Sequence, residues 1–239
     1  MKWLLVSLAG LLTPEAAYEP DYLRFDAPTD FGGKDPQYVA CVELISDDLV
    51  IGRAGARAWV QDGGGAPAVH CLAIADLAAG YPKRAAIRLM ELGESPSAGE
   101  SPTRARVLAS AALAFLEAER PDFAIEAVEA AESLEPDLSD IHIVAAKAYA
   151  AAEEWQAAAD AASKAEAANF ATAETYVIRA KARRALGKDL EAAEDIVEAL
   201  KRDPFDLDAL VLRGELIQAG IDIRARYAPA DETGAPIEE

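Results

Sequence analysis

Three consecutive stretches decide the fold: ARVLASAALAFLEAERPDFAIEAVEAAESLEPDL (105–138), SDIHIVAAKAYAAAEEWQAAADAASKAEAANFAT (139–172) and AETYVIRAKARRALGKDLEAAEDIVEALKRDPFD (173–206). Each is 34 residues long, and they share a register. The eighth place holds Ala112, Ala146 and Ala180. The twentieth holds Ala124, Ala158 and Ala192, and the twenty-seventh holds Ala131, Ala165 and Ala199. The eleventh holds Phe115, Tyr149 and Arg183, and the thirty-second holds Pro136, Phe170 and Pro204. Small residues at fixed places let helix backbones approach closely. A proline near the end of a unit cannot continue a helix and turns its neighbour away from one.

This period and this alanine register resemble the tetratricopeptide repeat family. The match departs from the family pattern at Phe170, where proline is usual, and at Arg183, where an aromatic is usual. The resemblance implies an all-α fold, a right-handed solenoid of antiparallel helix pairs. It also implies that the first helices of successive units line a concave groove holding a peptide or a partner helix. Carried over by position, that groove comprises Ala109, Leu113, Ile143, Lys147, Val177, Lys181, Arg184, Val211 and Glu215. Lys147, Lys181 and Arg184 make a basic spot that would favour an acidic or carboxylate-bearing segment, unless carboxylates on the same helices pair with them. The family's carboxylate clamp for chaperone tails needs a lysine and asparagine pattern that Ala109 and Leu113 do not supply.

Outside the three units the pattern is looser. Pro36 to Ser46 reads as a helix with Tyr38, Val42 and Ile45 on one face. Asp47-Asp48 caps a second helix that ends before the Gly63–Gly65 run. A further pair follows, from about Ala68 to Ala79 and from Pro82 to Leu92. Residues 37–94 are thus two degenerate pairs, and 95–104 is a Ser/Pro/Gly loop. After Asp206 the register continues through Leu210, Arg213 and Gly214. A short helix from Ile221 to Tyr227 then closes a partial unit, as solenoid ends usually do. The sum is about five helix pairs plus a partial sixth, with 228–239 an unpatterned acidic tail.

The first residues read as an export signal. Lys2 precedes an apolar run from Trp3 to Leu12, and Ala16-Ala17 offers a cleavage point. The run is far short of the roughly 20 residues that span a bilayer. A signal over 1–17 places the mature chain in the periplasm or outside the cell. Residues 18–36 form a lead-in rich in Pro, Gly and aromatics, read as a linker or as packed on the first helices. Cys41 and Cys71 are the only cysteines, and an even pair in an exported chain reads as a disulfide.

The formal net charge is −19. That argues against nucleic acid or an anionic membrane as the main partner. The only histidines are His70 and His142, and no Cys/His set has metal-ligand spacing. The adjacent pair His70-Cys71 points two ways from one helix, so it makes a poor nucleophile and base. The glycine runs lack the lysine, the hydroxyl and the preceding strand of a phosphate loop. No cofactor or metal is expected. The reading is a non-enzymatic scaffold or adaptor of the bacterial cell envelope with a protein partner. A structural subunit of an envelope assembly, or an enzyme sited around Cys41 and Cys71, are the alternatives.

Overall fold

The computed structural model describes residues 35–221 and residue 223. The expected signal, most of the lead-in, most of the helix expected over 221–227 and the acidic tail lie outside the described residues. Within them the fold is all helical, with no strand: α1 Pro36–Asp47, α2 Leu49–Gln61, α3 Gly65–Ala78, α4 Pro82–Glu94, α5 Ser101–Glu117, α6 Pro121–Leu134, α7 Ile141–Ala151, α8 Trp155–Ala167, α9 Ala173–Ala185, α10 Asp189–Arg202 and α11 Leu207–Gln218. These make five pairs and a single last helix. Within each pair the second helix packs on the first, and the next pair stacks on it.

Local chemistry sets the boundaries. Asp48 accepts from the N–H groups of Val50 and Ile51, both at 3.0 Å, and starts α2. Thr172 and Thr175 form a reciprocal capping box at the start of α9. Proline opens α1, α4, α5 and α6, where its missing N–H costs little. Two boundaries differ from the sequence reading. α5 begins at Ser101, because Pro102 is a helix opener there and not part of a loop. α3 begins at Gly65, so only part of the glycine run is a turn.

The turn inside each regular unit is the same. Glu119, Glu153 and Gly187 all adopt positive φ, at 56°, 59° and 75°, and they lie one period apart. The next residue's N–H closes each helix end on the carbonyl of the eleventh-place residue: Arg120 on Phe115, Glu154 on Tyr149 and Lys188 on Arg183. The departure at Phe170 also has a reason. α8 is ended by Asn169, whose φ of 61° suits asparagine, so proline is not needed there.

All nine alanines of the register are fully buried. One apolar cluster runs from Tyr38 to Ala162, and a second runs from Tyr176 to Ile223. Ala158, Ala159 and Ala182 form a small third cluster between α8 and α9, and Ile178 of α9 packs on the first cluster. The α1 and α2 backbones approach closely, so that a Cβ on Gly52 would lie 2.6 Å from the Ile45 Cα. A Cys41–Cys71 disulfide ties α1 to α3, with Cα atoms 6.5 Å apart.

Candidate interaction groove

First helices of neighbouring units touch directly: α1 on α3, α5 on α7, α7 on α9 and α9 on α11. They form one side of the stack, and the groove positions carried over from the family lie on α5, α7, α9 and α11. Their exposure changes along the stack. Ala109 and Leu113 on α5 are buried, as is every residue from Val107 to Phe115. Ile143 and Lys147 on α7 are half-buried. On α9, Val177 is only 3% exposed, while Lys181 is open and Arg184 half-buried. Val211 on α11 is 60% exposed. Ala109, Leu113 and Val177 are therefore core residues and not groove lining. The accessible surface lies toward the C-terminal units, where Leu207, Leu210 and Val211 add apolar area.

The basic spot is not a free positive patch. Lys147 Nζ lies 2.8 Å from a Glu174 carboxylate oxygen, and Lys181 Nζ lies 2.7 Å from Asp208. Arg184 binds Glu215. Each cation reaches the first helix of the following unit. Lys147 and Lys181 occupy the same place of the repeat, as do Glu174 and Asp208. The result is a ladder of ion pairs that repeats with the period and neutralises this face.

Behind the first helices, α8, α9 and α10 enclose a second charged cluster. Asp195, nearly buried, accepts from Arg179 Nε and Nη2 at 3.0 and 2.7 Å and from Arg183 Nη1 at 2.7 Å. Arg179 also donates to Ser163 and Glu166. Tyr176 donates to Glu166 at 2.9 Å and accepts from Arg202 at 3.1 Å. Burial raises the Asp195 pKa, a rise that the two arginines only partly offset. The hydrogen bond from Arg179 holds Glu166 below its ordinary value. An open cleft of about 460 Å³ lies here, lined by both signs of charge. Arg183 thus replaces an aromatic with an ion pair to Asp195.

The N-terminal pairs hold the groups first considered for catalysis. Cys41 and Cys71 are joined, so neither is a free thiol. The His70 Nδ1 lies 2.8 Å from the Tyr38 hydroxyl, and burial pushes the His70 pKa down to about 4. Asp76, fully buried on α3, is held by Arg53 at 2.7 Å and Arg88 at 3.0 Å. No group of His, Cys, Asp and Glu suited to a metal ion occurs among the described residues. No described helix is long and apolar enough to cross a membrane.

No family model matches the sequence, and no curated protein matches it. Solved structures match the fold. TTC0263, a thermophilic TPR protein of Thermus thermophilus, is 19% identical with a TM-score of 0.54, over 76% of this chain and 97% of its own. YrrB, a TPR protein with an unusual peptide-binding site, is 14% identical with a TM-score of 0.59, over 81% of this chain and 95% of its own. MamA is 16% identical with a TM-score of 0.58, over 72% of this chain and 94% of its own. At these identities the likeness is one of architecture, and the chain has a TPR-like fold: a solenoid of stacked helix pairs.

Proposed function

We propose that the protein is a non-enzymatic scaffold of the bacterial cell envelope that holds a segment of a partner protein against α7, α9 and α11. One observation carries the reading. The first helices from α5 to α11 form a continuous stack whose accessible surface grows toward α11, where apolar side chains stand open beside an ion-pair ladder. The peptide-binding site of YrrB, a protein of similar fold, supports a peptide-like partner. Apolar contacts at Leu207, Leu210 and Val211 supply most of the affinity. A carboxylate-bearing segment gains further affinity only by exchanging with Glu174, Asp208 or Glu215. That exchange is close to balanced, because exposed ion pairs contribute about 0–1 kcal/mol each. The export signal read over residues 1–17 and the disulfide support an oxidising compartment.

The test is a cross-linked pull-down from the envelope fraction with three baits: the native chain, Val211→Glu and Lys181→Glu. The partner captured by the native chain is lost with Val211→Glu and reduced with Lys181→Glu. Capture unchanged by Val211→Glu removes the groove reading. Recovery of the protein from the cytoplasm with two reduced thiols removes the envelope reading.

A further inference from the structure

Among the described residues, the first helix pair has no unit stacked before it. Between its two helices lies a shallow apolar cleft of about 190 Å³, lined by Gln37, Ala40, Leu44, Gly52, Gly55 and Trp59 above the buried Cys41 and Ala56. Elsewhere on the same two helices Val50 is 80% exposed, and Ile51 and Val39 are also open. Small residues form the floor, and a Cβ on Gly55 would meet only Leu44, at 3.8 Å. The end of a solenoid usually carries a cap whose outer face is polar, and this face is not polar.

We propose that residues 22–34 of this chain fill the cleft, with Phe31 and Phe25 as anchors, and so cap the N-terminal end of the stack. The chain enters at the right place. Residue 34 adjoins Asp35, whose carboxylate caps α1 two residues before Gln37. Phe31 stands four residues before Asp35, within about 13 Å of extended chain. The Gly32-Gly33 pair between them allows the reversal that lays the segment back along α1. From Gln37 to Leu44 the cleft wall is seven helical residues, about 10 Å. The six residues from Phe31 to Phe25 extend to about 20 Å, so both rings reach it with slack. The segment YLRFDAPTDFGGK carries Arg24 and Lys34 against Asp26 and Asp30. It is therefore neutral within a chain of net charge −19, and nothing repels it from the pair. A second copy of the chain would bring its own −19 charge to the contact. The tethered segment is present at an effective concentration of about millimolar.

Trypsin reports the contact directly, because Arg24 lies inside the docked segment. Cleavage after Arg24 in the native chain is expected to be at least tenfold slower than in a free peptide of residues 18–34. Gly55→Phe, which fills the cleft, and Leu44→Asp, which makes its wall polar, restore the fast rate with far-UV circular dichroism unchanged. Phe25→Ser/Phe31→Ser gives a reading that does not alter the helices. In a Trp3→Phe/Trp155→Phe background the Trp59 emission becomes at least twofold more sensitive to acrylamide when the two phenylalanines are removed. Native cleavage as fast as in the free peptide overturns the proposal. So does protection that rises with protein concentration alongside a doubled mass in sedimentation, which assigns the cleft to a second copy.

Discussion

Glu153 pays for its turn in backbone strain. A non-glycine residue at positive φ costs on the order of 1–3 kcal/mol, while glycine there costs under about 1 kcal/mol in lost chain entropy. Gly187 occupies the same place one unit later at no steric cost. Glu153→Gly is therefore expected to stabilise the fold by about 0.5–1 kcal/mol, read as a higher urea midpoint with an unchanged slope. His70 gives a second residue-scale expectation. Its folded pKa of about 4 lies below the ordinary 6.5, so the unfolded chain binds more protons between those values. Stability from this site is complete above pH 6.5 and falls as pH drops toward 4, by up to about 3 kcal/mol. His70→Asn keeps an acceptor for Tyr38 but does not titrate, so urea midpoints at pH 7 and pH 4.5 should converge in that variant. A histidine whose loss leaves the pH dependence intact would sink the assignment.

At the scale of elements, the disulfide is the strongest single constraint on the N-terminal pairs. Closing 30 residues of chain contributes about 3–4 kcal/mol in the loop-entropy view. Reduction, or Cys41→Ser/Cys71→Ser, should lower the stability of α1 to α4 by that amount, measured by amide exchange in those helices. How much was legible in the sequence also shows at this scale. The helix pairs were, because alanines at three fixed places encode close helix approach, and all nine are buried. The start of α5 was not, because a proline reads alike as loop and as helix opener. The groove was legible only in part. Position in a repeat does not say whether neighbours cover a residue, and Ala109, Leu113 and Val177 are covered. The ion-pair ladder could have been found: Lys147 and Lys181 share one place, and Glu174 and Asp208 another. The pairing does not show within a single helix, because the partners lie 27 residues ahead on the next unit.

For the whole molecule, the break between the two apolar clusters sets the order of opening. Solenoid stability is close to a sum over units and their interfaces. The junction at α8 and α9 rests on three alanines with Tyr149 and Trp155 against them, on Ile178 and on the charged cluster around Arg179. Amide exchange should show α9 to α11 opening as a unit below the free energy of global unfolding. Asp195→Ala leaves Arg179 with Glu166 as its one carboxylate, beside the Ser163 hydroxyl, and should cost about 3 kcal/mol, the lower end for a broken buried pair. Its effect should be confined to α8 to α11. Uniform loss of protection across all the described helices would argue instead for a single cooperative block.

Among the described residues, more than half of the buried apolar ones are alanine. A methyl group removes far less surface from water than a leucine side chain does. Unfolding this chain therefore hydrates little new hydrocarbon for its length. Its heat-capacity step should fall below the usual ~12–15 cal/mol/K per residue. The stability curve is then shallow: modest at its maximum, and slow to decline on cooling or warming. Scanning calorimetry at several pH values, with enthalpy plotted against midpoint temperature, reads that slope directly.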